Sequence, residues 1–313
     1  MKFLLSILLI LSGLAQAENK HELGIVKDPD GFTNVRSQPD LKSDILGTVP
    51  SNRMLSFQRF DESWVIINRY AWDGYRDGFI HSSRVFPIME LGIQDIEPAY
   101  GQAWRTEKKL IMLGDIEITM FDANRILREE YDFPMFHSSY LEIKVPNQKP
   151  IRKYYPSMEP LGGRAGLGYV PVLSEPDFRF FVKEGDYDSR TIIVTKDGRV
   201  VDLEGGAFWI YKNLLISEIG DVVYEGTIVW DMKQEKLLYR PEDNPDIYAE
   251  NGIDEFETTY YIASGELYLK IEALFNEDLP LSFYRLDKNG RFVSESNPPT
   301  IEEELEMYYW KDD

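Results

Sequence analysis

The 313-residue chain contains no cysteine and only three histidines, His21, His81 and His137. Without cysteine there is no disulfide, no thiol nucleophile and no thiolate metal site. The histidines lie far apart in sequence, none with a second histidine at metal-binding spacing. Nothing therefore points to a zinc centre or a Ser-His-Asp triad, and neither a metal nor a cofactor is expected. Long apolar runs are also scarce. Lys2 precedes an apolar run from Phe3 to Leu11 broken only by Ser6, then Ser12-Gly13, and Ala15-Gln16-Ala17 fits a small-x-small cleavage site. That run is shorter than the roughly 20 residues needed to span a bilayer. Residues 1–17 read as a secretory signal peptide cut between Ala17 and Glu18. The mature chain is expected to be exported, periplasmic or secreted, and free of the membrane after cleavage.

Positive charge is short too: 34 Lys and Arg face 54 Asp and Glu, a formal net charge of −20. The deficit is uneven, with eleven acids against nine bases over residues 18–94 and forty-three against twenty-four over 95–313. Such a body repels nucleic acid and anionic lipid and suits basic proteins or divalent cations, although solubility alone is the plainer account.

Turn residues are abundant. Asp28-Pro29-Asp30-Gly31 leads into the strand-like Thr33–Arg36, and further short runs follow at Ile45–Val49, Met54–Phe60, Trp64–Tyr70 and Gly78–His81. Short strands at close spacing argue for a small barrel or sandwich. Asp73-Gly74 and Asp77-Gly78 are hairpin dipeptides flanking Tyr75-Arg76.

The order Gly31-x-x-Asn34-Val35-Arg36-Ser37-x-Pro39, Ile45-Leu46-Gly47-Thr48-Val49, Ser63-Trp64-Val65 and Asp77-Gly78-Phe79-Ile80-His81-Ser82-Ser83-Arg84-Val85 resembles the bacterial SH3 (SH3b) domain over about residues 24–88. The usual compact Gly-x-x-Gly before the last strand is expanded here to Tyr70–Gly78. The resemblance implies a small SH3-like barrel, 18–90, that binds peptides or peptidoglycan. Val35 is then a core residue, and Asn34 and Arg36 fix loop geometry through backbone hydrogen bonds, with ligand contact by Arg36 as the alternative. Groove candidates are Tyr70, Trp72 and Tyr75, with Trp64 and His81 nearby and Trp64 the one most suited to the core. Aromatic faces with a few polar groups suit sugar or peptide ligands.

Residues 91–104 read as a packed linker and 105–313 as an acidic β-rich domain of unknown type. Leu110–Leu113 and Ile116–Phe121 read as a hairpin about Gly114-Asp115, Asp122 as the cap of a short helix, and Tyr140–Val145 as a strand. The Pro- and Gly-rich stretch 146–176 reads as a long loop or seam. Its Gly162–Gly168 run is no phosphate loop, since neither Lys-Ser nor Lys-Thr follows. Beyond Phe178 five strand–turn–strand patterns succeed one another, an antiparallel meander for which a sandwich or curved sheet is preferred and a partial propeller is the alternative. Thr300-Ile301-Glu302-Glu303 reads as a capping box opening a short C-terminal helix. The acidic loop 242–257 lacks the EF-hand pattern, since Ile247, Ala249 and Asn251 lead to Gly252. It reads as a solvated loop, with an irregular calcium site as the alternative.

The fold expected is thus mainly β: an SH3-like barrel, then a meander domain with a short C-terminal helix. The function expected is non-catalytic binding of peptidoglycan or a peptide in the cell envelope. One alternative is an inhibitor or immunity protein that neutralises a basic envelope enzyme. Another is an SH3b-targeted cell-wall hydrolase, for which no catalytic residue stands out.

Overall fold

A computed structural model describes residues 22–67, 78–99, 104–125, 135–159, 166–184, 189–219, 226–239, 256–273 and 281–309. It is mainly β, with several antiparallel sheets and one short helix. The chain divides into two compact units, residues 1–106 and 107–313.

The first unit holds β1 (Glu22–Val26), β2 (Phe32–Arg36), β3 (Ile45–Pro50), β4 (Met54–Arg59), β5 (Trp64–Ile67), β6 (Gly78–His81) and β7 (Val85–Pro87). They form one sheet, sheet I, in the order β3-β2-β6-β5-β4-β1-β7. Val26, Val35, Val49, Leu55, Phe57, Val65, Ile67, Ile80 and Val85 make a single core. Strand alternation puts those side chains on one face. Gly24 sits where β1 passes closest to this core, because an added Cβ would stand 2.8 Å from the Phe57 ring. Three-residue 3-10 turns and the helix α1 (Ile93–Ile96) follow β7, burying Ile88, Leu91, Ile93 and Ile96. Lys27 Nζ meets Asp95 Oδ1 at 2.8 Å and ties this segment to the end of β1.

The second unit is four antiparallel meanders in series. Sheet II holds β8 (Trp104–Leu113), β9 (Ile116–Arg125), β10 (Met135–Lys144) and β11 (Ile151–Glu159). Sheet III holds β12 (Gly166–Val170), β13 (Phe178–Glu184), β14 (Arg190–Thr195) and β15 (Val200–Glu204). Sheet IV holds β16 (Ala207–Tyr211), β17 (Leu214–Ile219), β18 (Gly226–Asp231) and β19 (Lys236–Tyr239). Each is hydrogen-bonded in sequence order. Sheet V comprises β20 (Phe256–Ala263), β21 (Glu266–Ala273), β22 (Ser282–Leu286), β23 (Phe292–Ser294) and β24 (Glu303–Glu304), in the order β23-β22-β21-β20-β24.

Neighbouring sheets share cores. Ile118, Leu141 and Tyr155 of sheet II pack with Phe181, Ile192 and Val194 of sheet III. The opposite face of sheet III, Phe180, Val182 and Ile193, packs with Phe208, Leu215 and Trp230 of sheet IV. The other face of sheet IV, Trp209, Ile216 and Val229, packs with Tyr260, Leu269 and Phe292 of sheet V. Sheets III and IV are therefore apolar on both faces. This explains unbroken runs such as Phe180-Phe181-Val182 and Ile192-Ile193-Val194, which an alternating half-buried strand would not carry.

Several expectations change. The meander expected beyond Phe178 is divided among separate sheets that pack face to face, because runs buried on both faces need a partner on each side. The loop or seam at 146–176 contains β11 and β12. Pro156 fits inside β11 because β11 is an edge strand and one side of its backbone needs no donor. Asp122 caps no helix; it lies in β9 opposite Ser139. The short C-terminal helix is absent among the described residues, and β24 instead pairs antiparallel with β20. Glu302, Glu303, Glu304 and Glu306 would crowd like charge at helical spacing, whereas the free edge of β20 satisfies their backbone.

Candidate functional site

Val65 and Ile67 enter the core of sheet I, so Trp64 and Ile66 take its opposite face. The register carries that outer face across the sheet. Trp64 pairs with His81 and Ile66 with Phe79; Gln58 pairs with Ile66; Arg36 pairs with Phe79 and Ile45. Directly opposed residues share a face.

The turn before β5 places Trp64. Asp61 Oδ1 accepts from the amides of Ser63 and Trp64 at 2.7 and 2.8 Å, an Asx-type turn. Trp64 is only 7% exposed. Its ring meets that of His81 edge-on, with centroids 5.3 Å apart and planes at 71°. The His81 Nδ1 accepts from the Ser83 amide at 3.3 Å and lies 2.8 Å from Ser83 Oγ. An accepting Nδ1 puts the proton of the neutral ring on Nε2, which leaves one N–H donor for a ligand. Beside this pair Phe60 meets Phe79 edge-on at 5.1 Å. Phe60 and Ile45 are about half exposed, at 51% and 55%. Arg36 donates from Nη1 to the Ser43 carbonyl at 2.8 Å and so pins the loop after β2, in keeping with the geometric role expected of it.

Trp64 and His81 are therefore in contact, with Trp64 a buried support and His81 the reachable member. Tyr70, Trp72 and Tyr75 lie outside the described residues. The segment that carries them leaves β5 after Ile67 and returns at Gly78, three ladder positions from the Trp64–His81 pair. Phe60, Phe79 and Ile45 were not singled out from sequence. For Phe79 and Phe60 the signal was parity, since they fall out of step with Ile80 and with Leu55 and Phe57; Ile45 has the parity of the core residue Val49 and comes opposite Arg36 only through the register shift between Val35 and Arg36.

The second unit has a buried polar end between sheets II and III. Ser139 Oγ donates to Asp122 Oδ1, with both residues buried. Tyr155 donates to Asp202 Oδ2 at 3.2 Å, and Arg190 stands 3.6 Å from Asp202 Oδ1. Lys183, 1% exposed, lies on the same face of sheet III as Arg190, its register partner. Opposite charges lie among these groups, which suits an internal ion-pair network, in which Asp202 Oδ1 faces Arg190 without a hydrogen bond. No group of three or more His, Asp or Glu among the described residues is arranged to hold a metal ion. Most of the acidic loop 242–257 lies outside the described residues.

No helix among the described residues is long and apolar enough to cross a membrane. No family model matches the sequence, no curated protein matches it, and no solved structure matches the fold.

Proposed function

We propose that this is an exported, non-catalytic binding protein of the cell envelope, whose N-terminal unit is an SH3b-like barrel that holds peptidoglycan or a peptide. The outer face of sheet I carries the reading. It gathers Phe60, Phe79, Ile45 and the Nε2 donor of His81 on contiguous strands, beside the base of the expanded segment with Tyr70, Trp72 and Tyr75. Apolar ring surface with a few fixed polar groups recognises extended ligands. The coming together of the Asn34-Val35-Arg36, Gly47-Thr48-Val49, Trp64 and Gly78–His81 elements in one sheet around one core supports the barrel. The apolar run at 3–11 with Ala15-Gln16-Ala17 supports export.

The test is retention on purified peptidoglycan sacculi, with the supernatant assayed for released fragments. Wild type is compared with Phe79→Ala/His81→Ala and with Trp72→Ala/Tyr75→Ala, each checked for a native thermal transition. Retention without release is expected, with affinity falling about tenfold, or ~1.4 kcal/mol, in each folded double variant. Fragment release overturns the non-catalytic reading. Unchanged retention in both variants overturns the assignment of this face.

The concentration of negative charge beyond residue 94 favours a second reading, an inhibitor of a basic envelope enzyme. It differs in its partner and in its response to salt.

A further inference from the structure

The loop between β12 and β13 carries the most exposed large apolar side chain among the described residues: Leu173 is 97% exposed. The loop reads Pro171-Val172-Leu173-Ser174-Glu175-Pro176-Asp177. The Val172 carbonyl accepts from the Glu175 amide at 3.4 Å, and the Glu175 carbonyl from the Phe178 amide at 3.3 Å. These are two successive turns, with Leu173-Ser174 at the corner of the first and Pro176-Asp177 at the corner of the second. Proline suits its corner because its φ is preset. Leucine has no such reason to stand at a turn corner, and exposing it forgoes the gain that burial of its side chain gives.

The loop is held from several sides. Val172 is buried in the core shared by sheets III and IV. Arg179 donates from Nε to the Met112 carbonyl at 3.0 Å, and from Nη1 to the carbonyls of Phe178 at 2.7 Å and Pro176 at 3.4 Å. Lys196 Nζ meets Asp177 Oδ2 at 2.9 Å. A turn fixed in this way loses little freedom when a partner covers it.

Further exposed apolar side chains flank it. On one side Arg179 ties the loop to Met112 of β8, which is nearly half exposed. Leu110, two residues back on the same face of that strand, is more exposed still. On the other side stands the C-terminal segment. Val170, the last residue of β12, pairs with Phe180; the Phe180 ring stacks on Phe208, and that of Phe208 on Tyr308. Tyr308 also exchanges both backbone hydrogen bonds with Phe208, at 2.8 and 3.0 Å. Met307, beside Tyr308, is nearly half exposed. This end of sheet III therefore forms a crest, with Leu173 on top and a methionine to either side. Lone exposed apolar residues are ordinary, but a fixed turn that raises one between two adaptable thioethers has the form of a contact surface.

The charge beside the crest is negative. Glu306 and Glu175 both help to raise the pKa of Tyr308, after the larger effect of its burial, so both carboxylates lie near its hydroxyl. Burial, and then Asp177, raise the pKa of Glu175 itself. Lys196 and Arg179 are already engaged, the one with Asp177 and the other with backbone carbonyls. A cation brought by a partner would offset both effects on Glu175.

We propose that this crest is the contact element for a basic envelope enzyme, a proposal that rests on the inhibitor reading: Leu173 enters an apolar pocket of the enzyme, and lysine or arginine at the pocket rim meets Glu175 and Glu306. A protruding turn fits a cleft rather than a flat face, and enzymes carry such a cleft at the active site, so binding blocks turnover. The acidic excess of residues 95–313 supplies the long-range attraction, and the crest supplies the residence time.

The test uses the mature chain and a basic muramidase, with stopped-flow association, dissociation by competition, and muramidase turnover on sacculi. Wild type is compared with Leu173→Ala and with Glu175→Gln/Glu306→Gln. Because Leu173 is exposed, Leu173→Ala should keep the wild-type thermal transition. It is expected to leave the association rate unchanged and to raise the dissociation rate at least ~10-fold, with a matching loss of inhibition. The double charge variant is expected to slow association and to weaken its salt dependence. A wild-type complex that Leu173→Ala leaves unchanged overturns the crest while the inhibitor reading stands. A complex that leaves turnover intact overturns entry into the cleft. Failure of the wild-type chain to bind removes the inhibitor reading itself, and the crest with it.

Discussion

At the scale of single residues, two glycines show how turn chemistry and packing are set together. Lys196-Asp197-Gly198-Arg199 joins β14 to β15, and Lys288-Asn289-Gly290-Arg291 joins β22 to β23. Both glycines have positive φ, 84° and 80°. Both turns close with the same pair of bonds, Gly198 to Thr195 and Thr195 to Arg199, Gly290 to Asp287 and Asp287 to Arg291. In each the glycine lies against the preceding sheet, Gly198 on Val145 and Gly290 on Leu238. Gly265, at φ 73°, has open space where a Cβ would go. Alanine at position 265 should then cost only its backbone strain, about 1 kcal/mol. Gly198→Ala and Gly290→Ala add a clash with a packed side chain and should cost roughly 2–4 kcal/mol. Urea unfolding of the three variants checks this, and equal losses would show that backbone strain alone decides. Val35 in the core and the backbone-bonded Arg36 were readable from the sequence at this scale. Asp122 was not, because an aspartate before an apolar-spaced run reads as a helix cap, and only its strand partner Ser139 gives it a different role.

At the scale of elements, turn signals carried most of the information. Ser264-Gly265, both at positive φ, closes β20 onto β21 as a two-residue hairpin should. The five strand–turn–strand pairs expected beyond Phe178 are all present, in β14–β15, β16–β17, β18–β19, β20–β21 and β22–β23. The two equivalent Lys-x-Gly-Arg turns, each between the third and fourth strands of a sheet, were the trace of repetition that the loose spacing hid. The tail was illegible, because a capping box is a local signal and the free edges of β20 and β16 are set by tertiary structure. Its tyrosines give a test. Burial, with help from nearby acidic groups, raises the pKa of Tyr261, Tyr268 and Tyr308 above the ordinary phenol value. A raised folded-state value means that this stability is full below the unfolded pKa of about 10 and is lost as pH climbs through the folded values. Alkaline titration by phenolate absorbance, run beside amide exchange of residues 302–309, should show this C-terminal segment, paired with β20 and β16, opening above about pH 10. The buried Tyr261 hydroxyl has no hydrogen-bond partner among the described residues, so Tyr261→Phe should stabilise the fold by ~1 kcal/mol and delay that opening. Destabilisation by Tyr261→Phe would mean that the hydroxyl has a partner.

At the scale of the whole molecule, charge separates the two functional readings. Residues 18–94 are nearly balanced while residues 95–313 carry the acidic excess. If the outer face of sheet I binds uncharged glycan or apolar peptide surface, retention on sacculi depends on rings and changes little with salt. If the acidic unit neutralises a basic envelope enzyme, long-range attraction sets the encounter rate. Fixed charge of one sign raises association rates by ~10-fold to 1,000-fold, and salt screens that gain over a length of about 10 Å at 0.1 M. Stopped-flow association with a basic muramidase should then slow at least ~10-fold between low and high salt, while dissociation changes little. Phe79→Ala/His81→Ala should leave that association untouched and weaken sacculus retention. A muramidase that binds with a salt-independent rate, or not at all, removes the inhibitor reading and leaves the acidic excess to solubility. A salt-steered complex, unaffected by the change in sheet I, would assign the two activities to the two units.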